Sequence, residues 1–255
     1  MIAVAVFLAV IFAYRSWSET SPAKLAPARA GLPRIVLWAW ERPERLEFID
    51  PRETGVAFLA RTLFLRGSEV VVRPRLQPLQ VAPGTSLIAV ARIESDRAAP
   101  PELSAAQALQ AARAIRDLAF KPGVIAIQID FDAARSERAF YRALVSELRR
   151  ELPAAVGLTI TALASWCLDD DWIADLPVDE AVPMLFRMGA DDRHIRLRLK
   201  ARDDFRPRIC RESLGVATDE PVTGLPAGRR VYLFHPRAWS ADSFQQSIKE
   251  VRTWL

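Results

Sequence analysis

Two aspartates, Asp130 and Asp132, close the segment VIAIQIDFD (residues 124–132) and are the side chains of this chain best placed to do chemistry. An uncharged run rich in isoleucine, ending abruptly in acid, reads as a buried strand. Residues two apart on a strand point to the same face, about 6.5–7 Å from one another along the backbone. The two carboxylates therefore share a face, with Gln128 below them. Like charges this close push their pKa values apart, so that one carboxyl can stay protonated as a general acid. The structural alternatives are that Asp130 pairs with an arginine such as Arg92 and that Asp132 caps the following loop.

The elements that must position this pair follow from the rest of the chain. Further strand-like runs lie at residues 34–40 (RIVLWAW), 55–60, 86–93 (SLIAVARI), 156–163 (VGLTITAL), 180–186, 214–217 and 230–234 (RVYLF). Residues 63–65 and 70–73 flank Arg66-Gly67-Ser68-Glu69 and read as a hairpin. Helical spacing runs through Ala108, Leu109, Ala112, Ile115 and Leu118, with Ser104 as cap and Lys121-Pro122-Gly123 as stop. A second helix, starting at Ser136, carries Phe140, Tyr141, Leu144, Val145 and Leu148; a third, from about residue 241, carries Phe244, Ile248 and Val251. Strands alternate with helices, and the middle strands are continuous apolar runs, which predicts parallel strands covered on both faces. The expected fold is α/β: a single (β/α)8 (TIM) barrel over residues 33–255. It is made irregular by Pro183 in the sixth strand and by a β-hairpin insertion near residues 62–80. The chain length of 255 residues suits such a barrel. A doubly wound open sheet is the alternative, but no GxGxxG or GxxxxGK[ST] follows any strand, which argues against its nucleotide-binding form.

In a barrel the site forms at the C-terminal ends of the strands. Those ends offer Trp38, Trp40 and Glu41; Arg92 and Glu94; Gln128, Asp130 and Asp132; Trp166; Arg187; Asp219 and Glu220; and His235 and Trp239. Carboxyl groups beside indoles are what a sugar site uses: acids do the chemistry, and indole faces stack on sugar rings. The candidate catalytic residues are Asp130, Asp132 and Glu94. The candidate ligand contacts are Trp38, Trp40, Arg92, Gln128, Trp166, Arg187, Asp219, Glu220 and Trp239, with Trp166 and Trp239 equally readable as core. The expected partner is a carbohydrate or glycan.

Other features bound the function. The formal net charge is +4, spread over scattered arginines, which points away from nucleic acid. His194 and His235 are the sole histidines, neither at ligand spacing to Cys167 or Cys210, so neither a metal nor another cofactor is expected. Residues 2–14 are uncharged and apolar, too short to span a bilayer comfortably and suited to the hydrophobic part of a signal peptide. Residues 1–15 are therefore expected to be a signal peptide or N-terminal membrane anchor, followed by a linker over 16–32. The protein would then be exported, either periplasmic or anchored to the inner membrane by residues 2–14, touching membrane only through that segment. In that setting Cys167 and Cys210 can form one disulfide; in a reducing compartment they would be two thiols.

WAWERPERL (residues 38–46), QIDFDA (128–133), TALASWC (161–167), PVDEAVPMLFRMG (177–189) and GVATDEP (215–221) together resemble a bacterial family, domain of unknown function number 3142. That family is grouped with TIM-barrel glycoside hydrolases, and the resemblance covers roughly residues 33–239. It implies a barrel and carbohydrate chemistry. There is a looser likeness to family 18 chitinases, whose fourth strand carries Asp-x-Asp-x-Glu. Asp130 and Asp132 match the two aspartates, but Ala134 stands where the acid glutamate belongs. If Asp132 is the acid, its partner comes from another strand, with Glu94, Asp219 and Glu220 as candidates.

Overall fold

The computed structural model describes residues 31–253, so the expected signal peptide or anchor (1–15) and nearly all of the expected linker lie outside the described residues. Eight apolar segments become eight parallel strands: β1 (Ile35–Ala39), β3 (Thr54–Arg66), β6 (Leu87–Ser95), β7 (Val124–Asp130), β8 (Gly157–Leu163), β9 (Glu180–Met184), β10 (Ser213–Ala217) and β11 (Arg230–Phe234). Each pairs with its neighbour in that order, and β1 pairs with both β3 and β11, so the sheet closes into a barrel. Every one of the eight coincides with a run recognised in the sequence.

The helices are α1 (Ala105–Arg116), α2 (Arg138–Glu151), the short α3 (Ala164–Leu168), α4 (Asp192–Lys200) and α5 (Ala241–Val251). Ser104 caps α1 as expected, its hydroxyl accepting from the Gln107 amide at 3.2 Å. Ser136 caps nothing; it sits in a 3-10 turn ahead of α2. Three connections hold no helix. Prolines at 43 and 51, at 78 and 83, and at 221 and 226 interrupt them, and proline removes a donor and clashes within a helix. Two of these stretches instead contribute β2 (Glu44–Leu46) and β5 (Leu79–Val81), which pair in parallel.

The hairpin expected near residues 62–80 is present, but its first arm is not separate. β3 runs unbroken for 13 residues, and β4 (Glu69–Pro74) folds back on it antiparallel. A register shift against β6 between Leu59 and Arg61 lets β3 continue past the barrel wall, as a bulge re-aims a strand.

Alternate residues point inward, and the interior is filled by Leu32, Val36, Trp38, Ala57, Leu59, Ile88, Val90, Ala126, Val182 and Tyr232. Leu32, expected to end the linker, is thus part of the core. Gly215 makes room for Trp38: a Cβ there would lie 2.8 Å from the indole Cη2. At the lower end Glu180, 1% exposed, pairs with Arg230 and accepts from the Tyr232 hydroxyl at 2.6 Å. A second, larger apolar layer lies between the strands and the helices. Cys167 on α3 and Cys210 form a disulfide with a Cα–Cα distance of 6.0 Å. None of the helices among the described residues is long and apolar enough to cross a membrane.

Candidate active site

β7 brings Asp130 to the C-terminal mouth of the barrel, where a cavity of about 370 Å³ opens. Trp38, Trp40, Arg92, Asp130, Asp132 and Arg187 all line it. The expected same-face pair is therefore realised, and four of the expected ligand contacts stand around it.

The two aspartates differ in setting. Asp130 is 9% exposed and lies in the floor. Its Oδ1 accepts from the Thr161 hydroxyl at 2.7 Å, and its Oδ2 is 3.9 Å from Arg92 Nη1. Loss of hydration dominates: burial pushes its carboxyl up to about 6, aided by the charges of Asp132 and Glu94 and opposed by Thr161 and Arg92. The Thr161 hydroxyl also sits 3.4 Å from the Ile129 carbonyl. When Asp130 takes up a proton, it can donate to Thr161, which then donates to Ile129; the floor accepts either protonation state. Asp132 is open to solvent at the rim, yet enough protein surrounds it that desolvation raises its carboxyl, with Arg92 pulling the other way.

The rest of the lining is apolar and aromatic. Trp38 forms part of the floor, its Nε1 donating 2.8 Å to Gln128 Oε1. Phe186 and Phe234 lie face to face, 5.4 Å apart and 4° from parallel, and extend a wall with Met184 and Leu163. Trp40 carries the Arg92 guanidinium 5.9 Å from its ring centre. Asp191 lies on the segment beyond β9, two strands round from β7, and also lines the cavity.

The remaining candidates stand elsewhere. Glu94 does not line the cavity; it accepts from Arg92 Nε at 2.7 Å and steadies that arginine. Asp219 and Glu220 also stand outside the cavity and hold Arg187: Asp219 accepts from its Nη2 at 2.9 Å, and Glu220 takes its amide at 2.9 Å and pairs with its guanidinium. The Arg187 hydrogen bond holds the Asp219 carboxyl below its usual range. Arg187 itself adopts φ of +53°, a left-handed conformation that these contacts fix. Gln128 is fully buried beneath Trp38, donating to Thr159 Oγ1 at 3.3 Å, and is a brace rather than a contact. Trp166 and Trp239 are core residues: Trp166 packs edge-on against Trp172, and Trp239 donates to the Trp38 carbonyl at 3.2 Å.

Phe186, Phe234, Thr161 and Asp191 were not singled out by residue type. Strand parity would have found the first two, because Glu180, Val182, Met184 and Phe186 alternate inward, as do Tyr232 and Phe234. Among the described residues no three His, Cys, Asp or Glu side chains come together as a metal site. No protein-family model matches the chain, and no curated protein matches its sequence.

Proposed function

We propose that the protein is a glycoside hydrolase-like enzyme acting on an envelope or extracellular polysaccharide, with Asp132 as acid/base and Asp130 beside it. The observation that carries this reading is the cavity in which a desolvated carboxyl pair faces an aromatic wall of Trp40, Phe186 and Phe234. Carboxyls with raised pKa can hold a proton for a leaving oxygen, and ring faces bind the apolar faces of sugars. Of the carboxylates that line the cavity, Asp132 and Asp191 make no hydrogen bond or ion pair with the described residues through their side chains, which leaves both available to a substrate. Asp191 thus takes the place of Glu94, Asp219 and Glu220 as partner, because those three are committed to arginines. The disulfide supports an oxidising compartment, in line with an exported protein, and the motif likeness to family 3142 points to the same chemistry.

The test is release of reducing ends from a panel of cell-wall and capsular polysaccharides. Asp132→Asn should abolish release while leaving the circular dichroism spectrum and melting temperature in place; an unchanged rate removes Asp132 from the role. A second reading is a non-catalytic glycan-binding barrel, favoured by Ala134 standing where chitinase-like enzymes keep their acid. Tight binding without turnover on every member of the panel would select it.

A further inference from the structure

Among the described residues β4 is the terminal strand of the sheet, bonded to β3 on one side and to no strand on the other. Its residues Val71 and Val72 are 45% and 40% exposed, unusual for valines in a strand of this kind. The register decides which backbone groups are free. Arg66 and Glu69 flank a two-residue turn whose first residue, Gly67, has φ of +50°. In such a hairpin the flanking residues are a hydrogen-bonded pair, and bonded and non-bonded pairs then alternate. Phe64 with Val71 and Thr62 with Arg73 are thus bonded pairs, and the alternation continues to the Arg75 amide, which donates to the Ala60 carbonyl at 3.0 Å. Val70 and Val72 must then turn their N–H and C=O groups away from β3. No bond to those groups from outside the sheet is present among the described residues.

The sequence of this edge, Glu69-Val70-Val71-Val72-Arg73, is its own antiparallel complement. We propose that the protein forms a two-fold symmetric homodimer by pairing β4 with β4 of a second copy about Val71. In that register Val70 of one protomer exchanges both backbone bonds with Val72 of its partner, and Val72 with Val70. Four outward groups on each chain are satisfied at once. Val71 faces Val71 on the axis, and Glu69 of each protomer stands opposite Arg73 of the other. Glu69, Val71 and Arg73 lie on one face of the strand, so the charges flank the valine contact. Glu69 has no ion pair among the described residues, and Arg73, which reaches Glu41 at 2.8 Å, is still 53% exposed. An edge that merely resisted association would carry one sign of charge or an inward lysine; this one carries opposite charges placed symmetrically. The contact is isologous and closes. Five residues a side make a small interface, at the low end near or below about 1,200 Å², so association is concentration-dependent.

The chain offers a clean test because its two cysteines are tied to each other. Opposed residues of a non-bonded antiparallel pair have Cα atoms about 4.5 Å apart, within disulfide range. Full-length Val71→Cys is therefore expected to oxidise to a covalent dimer, whereas Leu76→Cys, 84% exposed but off the edge, forms no intermolecular disulfide. In sedimentation velocity from micromolar to submillimolar protein, the wild type should shift from monomer to dimer. Arg73→Glu should weaken the dimer at least tenfold, and Glu69→Arg/Arg73→Glu should restore it. A wild type that stays monomeric throughout, a dimer indifferent to Val72→Pro, or a double charge swap that fails to restore association would each overturn the proposal. None of these readouts depends on a substrate.

Discussion

Asp130→Asn isolates the energetic consequence of burying a carboxyl in the barrel mouth. Asp130 titrates near 6 in the folded protein against an ordinary 3.8. A folded-state pKa raised in this way means that the fold favours the protonated form. Its stabilising effect is complete below 3.8 and is lost as pH rises through about 6. The difference of roughly two units corresponds to about 3 kcal/mol between pH 3 and pH 8, at about 1.4 kcal/mol per unit. Solvent screening takes little from this, since only 12% of the side chain is exposed.

Asparagine keeps the shape and the oxygen that accepts from Thr161, and it cannot ionise. Relative to wild type, Asp130→Asn should be close to neutral near pH 3 and more stable by about 3 kcal/mol at pH 8. Half of the change should fall near pH 5, between the two pKa values. Urea unfolding followed by tryptophan fluorescence across that pH range reads the difference directly. A stability difference that does not vary with pH, or one that grows toward acid, would refute the reasoning that desolvation dominates at this position.

Other outcomes follow from the same contacts. Replacing both Cys167 and Cys210 with serine opens a crosslink spanning 43 residues and should cost about 4 kcal/mol of unfolding free energy by chain entropy, measurable by chemical denaturation. Glu180→Gln leaves Arg230 buried without its counter-charge and should cost about 3 kcal/mol or more, seen as a lowered melting temperature. On the glycan panel, uncharged polysaccharides should outcompete uronic acid or sulfated ones, and binding should change little with salt; a preference for acidic polymers that fades with salt would contradict the charge assignments at the mouth.

The eight barrel strands were legible because strands buried on both faces must be apolar throughout, and such runs stand out. The helices over β7 were legible from stripes such as Phe140, Tyr141, Leu144, Val145 and Leu148, all buried in α2. α4 was not, because its buried residues are Ile195 and Leu199 alone amid five cationic or histidine side chains. β2 and β5 are three residues each and gain their order from pairing with one another. At the site, Asp130 and Asp132 were legible from their spacing on a recognisable strand. Trp166 and Trp239 were not separable from ligand platforms, since tryptophan suits a core and a sugar site alike and only the fold decides. The Arg187 contacts with Asp219 and Glu220 join residues 32 and 33 positions apart, across a connection with no periodicity to read.

The arginines at the mouth explain why so acidic a rim leaves so few free acids. Arg92 is taken by Glu94, with Asp130 3.9 Å away; Arg187 is taken by Asp219 and Glu220; and Arg73, outside the cavity, is taken by Glu41. The Arg92 bridge to Glu94 lies within β6, whereas the Arg187 and Arg73 bridges tie down the connections that carry Asp219, Glu220 and Glu41. A guanidinium already bonded to carboxylates has few donors left to fork around a ligand's acid group. What faces the cavity uncommitted is Asp132, Asp191 and the aromatic wall, with Asp130 held in the floor by Thr161. An anionic ligand would have to displace Glu94 or Asp219 from its arginine and settle among aspartates. A neutral ring needs only the faces of Trp40, Phe186 and Phe234 and a carboxyl to accept from its hydroxyls. The same accounting gives Asp130 its part: burial in the floor holds its proton up to about 6, and the charge of Asp132 above it adds to that rise. Desolvation raises both carboxyls, Asp130 because it lies deep in the floor and Asp132 at the rim against the opposing pull of Arg92.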